Sequence, residues 1–244
     1  MAGSAAGKGP RFSYSPFDAA YPVNIYGASK LQFEGRVLQL PHGYVLRLSN
    51  MIGPSCVFQR PAGGAKFLQF LNEAFQSRQF IGLKADERRS FVFVGDVVDV
   101  FLALVIRHRD LHRAGVVLGA DSLRASASSR ILNVGGPESL SRLDLAVMLS
   151  KEMGVEILVY RMKDFKVKLD TNASSGTGAG AGSDGGKMVD KSTPWEVYTI
   201  ANDPPKAGEL KSPKDITMDS SSTEKLLKLE FRKLQPLLRA SVLN

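Results

Sequence analysis

Tyr26 and Lys30 stand four residues apart in the run Pro22-Val23-Asn24-Ile25-Tyr26-Gly27-Ala28-Ser29-Lys30. That spacing puts two side chains on one face of a helix. A phenol with an ammonium beside it is equipment for proton transfer. The cation favours the ionised phenol, and the pair can give a proton to a carbonyl oxygen or take one from an alcohol. The alternative is an ordinary amphipathic helix with a turn-forming start, and a bare Tyr-x-x-x-Lys does not exclude it.

Further residues have chemistry to offer. Arg89, in Asp86-Glu87-Arg88-Arg89, presents the fork of donors that suits a diphosphate, or is a solvated charge in a charged run. Ser49 and Asn50 follow an apolar run and are pocket polars or turn formers. His108 and His112 have a spacing that suits a metal, but no carboxylate signature accompanies them, and histidine is favoured at a helix C-terminus in any case; no metal site is assigned. Cys56 lacks a nearby histidine in the sequence and reads as an ordinary residue. Gly180-Ala181-Gly182-Ser183-Asp184-Gly185 matches G-x-G-x-x-G, yet it lies in a low-complexity tract, follows no convincing strand and opens no helix.

The elements that must position these residues alternate. A helix is predicted over 24–40, ended by Pro41-His42-Gly43, then a strand over 44–48 that runs into Ser49-Asn50-Met51-Ile52-Gly53-Pro54. A second helix is expected over 65–77 with Phe67, Leu68, Leu71 and Phe75 on its core side. Strands are expected at 80–81 and 91–94, with Asp96 as the N-cap of an apolar helix over 97–106. Strand 130–134 leads into Gly135-Gly136-Pro137, and Ser141 caps a helix that ends near Met153. Strands 156–160, 195–200 and 216–218 and two short C-terminal helices complete an α/β pattern.

The chain has 244 residues, 43% of them hydrophobic, enough for a real core. A net charge of +8 favours acidic ligands, but the basic residues are scattered and not interleaved with aromatics, which argues against a nucleic-acid surface. One cysteine rules out an intrachain disulfide and fits a reducing compartment, so a cytoplasmic location is expected. Residues 1–10 lack the apolar stretch of a secretory signal, and no run approaches the length of a membrane span.

The run from Pro22 to Lys30, with Leu31 and Glu34, closely resembles the active-site helix of the extended short-chain dehydrogenase/reductases. Three later segments are similar to that family in the same order: Leu46 to Pro54, Arg89 to Val98, and Leu132 to Ser141. Pro213-Lys214-Asp215-Ile216-Thr217-Met218-Asp219 resembles the C-terminus of the dTDP-4-dehydrorhamnose reductase branch, which includes the regulatory subunit of methionine adenosyltransferase; Ser212 stands where that branch usually has arginine.

The resemblance implies a Rossmann-type parallel sheet with a small substrate-binding lobe. It also implies NADP or NAD as cofactor and a nucleotide-linked keto-sugar as substrate. Tyr26 would be the acid/base and Lys30 the grip on the nicotinamide ribose. Leu48, Ser49 and Asn50 would lie against the cofactor, with Asn50 and Arg89 toward the substrate.

The family's cofactor half begins with a strand, a Gly-rich turn and a helix, and the stretch before Tyr26 is too short to hold even one such unit. Ser4, near the spacing of the family's catalytic serine, sits in no strand. The expectation is therefore a truncated form. It would have a flexible N-terminus over 1–20, a remnant of the dinucleotide-binding domain with intervening substrate-lobe elements over 21–155, and a substrate lobe over 156–244 with a disordered insertion at about 171–190. Strands 44–48 and 131–134 would be the last two of a larger parallel sheet. The alternative is a non-enzymatic regulatory subunit that docks on methionine adenosyltransferase or another enzyme; homo- and hetero-oligomers both remain open. A nucleotide-sugar epimerase or dehydratase is a third reading, against which the C-terminal run argues mildly.

Overall fold

The computed structural model describes residues 13–54, 67–114, 130–161, 194–200 and 214–243. They form two units, each gathered from segments far apart in sequence: Met1–Gly53, Glu87–Leu140 and Asp203–Leu234 in the first, Pro54–Asp86, Ser141–Asn202 and Gln235–Asn244 in the second.

In the first unit, helix α1 (Ile25–Leu38) leads into strand β1 (Val45–Leu48), as the 3.6-residue pattern and the Pro-His-Gly stop require. β1 pairs in parallel with β6 (Ile131–Val134), Val45 opposite Ile131 and Leu48 opposite Val134. The two strands expected to be neighbours are neighbours. A short continuation, β2 (Met51–Ile52), pairs in parallel with β5 (Val92–Phe93), and β4 (Arg88–Arg89) with β9 (Asp215–Ile216). Helix α3 (Val94–Arg113) follows β5, and α5 (Ser221–Leu227) lies on β6. Val92, Val97, Val100, Leu132, Val134, Leu227 and Phe231 form the buried core.

Of the stretch 1–20 expected to be flexible, 1–12 lie outside the described residues; the backbone of Tyr14 donates to Thr217 O (2.7 Å) and its carbonyl accepts from Asp219 N (2.9 Å) and Asn133 Nδ2 (2.7 Å). Partners more than a hundred residues away hold Tyr14. One expectation changes here. Asp96 is not the N-cap of α3. The helix starts at Val94 behind Phe93, and Asp96 sits buried in its first turn, accepting from Arg232 N (3.0 Å) and pairing with the Arg232 guanidinium (3.1 Å). Burial pushes the Asp96 carboxyl above its ordinary value against the pull of Arg232.

The second unit holds a three-stranded parallel sheet in the order β3 (Ile81–Lys84), β8 (Trp195–Ile200), β7 (Ile157–Arg161), with helices α2 (Phe67–Gln76), α4 (Arg142–Met153) and α6 (Gln235–Leu243). Trp195 is fully buried, its indole N–H donating to Gln79 O (3.0 Å) and its ring set edge-on to Phe75. Ser141 caps α4 as expected, in a reciprocal capping box with Asp144, and Gly154 closes the helix in the left-handed conformation at φ 68°. The insertion at 171–190, the glycine run 180–185, Cys56 and Ser4 all lie outside the described residues.

Candidate functional site

Helix α1 begins where Asn24 turns its side chain back to accept from Gly27 N (2.8 Å). Glycine suits position 27, because a Cβ there would meet Pro22 Cβ at 3.2 Å and the capping oxygen of Asn24 at 3.3 Å. Tyr26 and Lys30 follow on one face, with the Lys30 ammonium 5.3 Å from the centre of the Tyr26 ring. Both side chains are exposed, Tyr26 by 71%. The phenol and the ammonium are thus together and open to a ligand.

None of the side chains of α1 is buried. Polar bonds fix the helix instead. Glu34, one turn beyond Lys30, receives both arms of Arg47 from β1: Nε to Oε2 at 3.1 Å and Nη2 to Oε1 at 2.5 Å. The remaining arm of Arg47 donates to Pro16 O (3.2 Å). At the far end, Arg130, just before β6, donates to the carbonyls of Leu38 (2.7 Å), Leu40 (2.8 Å) and Gly43 (3.1 Å), satisfying oxygens that a helix end leaves open.

These bonds define where Tyr26 lies. Arg130 stands at the entry to β6, so the C-terminus of α1 is at the amino ends of the strands and its N-terminus is toward their carboxyl ends. From Glu34 back to Tyr26 a helix rises about 12 Å, and from Arg47 on to Asn50 a strand runs about 10 Å. Tyr26 and Lys30 therefore stand toward the same end of the strands as Leu48, Ser49 and Asn50. In open α/β sheets ligands bind at the carboxyl ends of the strands. There Ser49 N donates to Val134 O (3.1 Å) and Asn50 O accepts from Val92 N (3.0 Å), which spends backbone groups and leaves the exposed Asn50 side chain available.

Arg89 is placed differently. Its guanidinium donates to the carbonyls of Arg88 (2.8 Å) and Lys214 (3.2 Å) and lies 3.6 Å from Glu87, so its fork is turned onto the chain itself. Its neighbour Arg88 donates to Ser139 Oγ (3.0 Å) and Ser139 O, and lines a cavity of about 790 Å³ with Glu138, Asp215, Asp219 and Glu224. Those carboxylates accept from Leu234 N, Thr217 N, Ser221 N and Phe231 N respectively. A lining with four carboxylates and one arginine does not suit a diphosphate.

His108 meets His42 edge-on with ring centres 4.6 Å apart. Among the described residues no group of three or more His, Cys, Asp or Glu side chains is placed to hold a metal ion. Sequence reasoning missed Arg47, Glu34 and Arg130. The signal was there only in part: Arg47 is a charge between two leucines in an apolar strand, but its partner is known only once the helix is laid on the sheet.

Residues 1–119 match the model of a family described as the NAD dependent epimerase/dehydratase family. No curated protein matches the chain. Similar folds occur in UDP-glucuronic acid 4-epimerase from Bacillus cereus in complex with UDP-glucuronic acid and NAD (TM-score 0.54, 17% identity, 99% of this chain and 58% of that one). They also occur in UDP-glucose 4-epimerase from Thermotoga maritima with UDP-glucose (TM-score 0.55, 17% identity, 96% and 57%). A third is an NAD dependent NDP-hexosamine 5,6-dehydratase, TunA (TM-score 0.51, 16% identity, 93% and 55%). The chain has a Rossmann-like α/β fold and spans somewhat over half the length of these structures.

Whether the residues present fit a nicotinamide dinucleotide has two answers. The exposed Tyr26–Lys30 pair offers a hydroxyl and an ammonium, donors of the kind that a nicotinamide ribose would need. Among the described residues, the glycines that follow strand ends do not form a pyrophosphate cradle: a Cβ on Gly53 would lie 2.3 Å from Val94 Cγ1, and one on Gly136 2.0 Å from Phe91 O, so the chain's own atoms fill that space. Among the described residues no helix is long and apolar enough to cross a membrane.

Proposed function

We propose that this chain carries the acid/base and ribose-holding side of an NAD(P)-linked protein that oxidises or reduces a nucleotide-linked sugar. The observation that carries this reading is the contact between the exposed Tyr26 and Lys30, with the Lys30 ammonium 5.3 Å from the centre of the Tyr26 ring. Tyr26 and Lys30 would lie against a bound nicotinamide, which would supply hydride exchange with a sugar carbon. Tyr26 gives its hydroxyl proton to the sugar oxygen in reduction and takes one back in oxidation. Lys30 holds the nicotinamide ribose and keeps positive charge beside the phenol. The backbone at Leu48 and Ser49 borders the cofactor, and Asn50 and Arg89 orient the sugar nucleotide, Arg89 after leaving its present carbonyl partners.

The UDP-sugars and NAD in the fold's relatives support a nucleotide sugar as substrate class. Within that class we take reduction of a keto-sugar, because the run from Pro213 to Asp219 resembles the reductase branch. The test is NADPH consumption with a 4-keto nucleotide sugar, read beside Tyr26→Phe. The variant is expected to turn over about 10²-fold more slowly; equal rates would remove Tyr26 from the mechanism. A second readout is protection of Lys30 from amine acylation by NADPH, followed by mass spectrometry. Unchanged labelling of Lys30 would overturn its role.

A second reading, docking on a catalytic subunit, draws support from α3. Val98, Phe101, Leu102, Val105 and Ile106 are all about half exposed or more, an apolar stripe at helical spacing. Under that reading the chain co-purifies with a larger enzyme and Tyr26→Phe leaves the complex intact.

A further inference from the structure

We infer that Arg47 is a positioning residue. Its bidentate grip on Glu34 sets the rotation and height of α1, and so decides whether Tyr26 and Lys30 face the turn at Ser49 and Asn50. The functional meaning of this inference rests on the reading above, but its geometry does not.

A helix on a sheet is normally fixed by a buried apolar stripe, and α1 has no buried residue; Ile25, Tyr26 and Phe33 are among its most exposed side chains. Half-buried side chains such as Leu31, Val37 and Leu38 provide attraction without a single register, since apolar contact is non-directional. A planar guanidinium held by both oxygens of a carboxylate is directional.

Glu34 is the right place for such a hold. Tyr26, Lys30 and Glu34 lie at successive four-residue steps, so all three share one face, and fixing Glu34 fixes the direction in which the other two point. The pair is sheltered, with side chains 21% and 14% exposed. Arg47 also reaches Pro16 O, tying in the segment that precedes the helix. Arg130 anchors the other end of α1 through backbone carbonyls, which set its height more than its rotation. The Arg47–Glu34 fork, made to a side chain, opposes a roll about the helix axis. Lysine at position 47 would keep the charge and lose the fork.

The test is a distance measurement on the full chain. Spin labels at Gln32→Cys on α1 and Met51→Cys on β2, both exposed positions, are placed in a Cys56→Ser background, and the label separation is read by pulsed electron resonance. The unaltered clamp is expected to give one distance population. Arg47→Lys and Glu34→Gln are each expected to add a second population while thermal unfolding stays cooperative. A single unchanged population in both variants, with only a lower melting temperature, would show that Arg47 merely glues the fold and would overturn the inference. If Arg47→Lys fails to fold, Glu34→Gln decides by the same criterion. Failure of NADPH binding or turnover bears on the proposed function and leaves these distances untouched.

Discussion

Helices α1 and α4 are similar in length and are held in opposite ways. α4 has a capping box at its start, a left-handed glycine at its end, and Leu145, Ala146, Leu149 and Ser150 buried along its length. α1 has a cap at its start, no buried residue, and two arginines from the sheet gripping its flank and its end. Burial fixes α4 firmly and conceals its side chains. Charge clamps fix α1 while leaving Tyr26 and Lys30 on the surface, where a ligand can reach them. In α1, direction comes from polar bonds rather than from a buried stripe.

The contrast is sharpened most by truncating its apolar side chains. Leu149→Ala is expected to cost about 2–5 kcal/mol in urea unfolding, because Leu149 is fully buried. Leu31→Ala, half-buried on α1, is expected to cost roughly 1 kcal/mol; comparable losses at the two positions would break the comparison. Next come the caps. Ser141→Ala is expected to cost about 1 kcal/mol of stability, and Asn24→Ala a similar amount of local helix stability, read as faster amide exchange confined to α1.

A smaller effect concerns Asp96. Burial raises its carboxyl above the ordinary value in the folded chain, so between the ordinary and the raised value the folded state binds more protons than the unfolded one. Stability from this group therefore falls as pH rises through that window. In urea melts over acid pH, wild type is expected to lose ground to Asp96→Asn as pH increases; a constant difference would show that the group does not titrate abnormally. Smallest of all is the structural effect of Tyr26→Phe, expected within about 0.5 kcal/mol because the side chain is exposed.

Local patterns made much of this legible. The helical pattern over 24–40 marked α1, Ser141 as a cap marked α4, and the apolar runs 44–48 and 131–134 marked β1 and β6, which do pair in parallel. What was not legible depends on distant partners. Asp96 reads as a cap until Arg232 is seen to take its carboxylate, and Arg47 reads as an out-of-place charge until Glu34 is brought opposite. Arg89 had the right residue type for an anion, but its surroundings, Glu87 and two carbonyls, come from folding. The Tyr26–Lys30 pair was legible because both groups lie within one helix, where sequence spacing is spatial spacing.

The most direct test of the account is amide hydrogen exchange measured on the wild-type chain and on Glu34→Gln, which removes the charge that Arg47 holds in a sheltered contact. Exchange across α1 is expected to accelerate in the variant while α4 stays protected, since the Arg47–Glu34 pair helps to hold one helix and burial holds the other. Unchanged exchange across α1 in Glu34→Gln would contradict the claim that this ion pair holds Tyr26 and Lys30 in place.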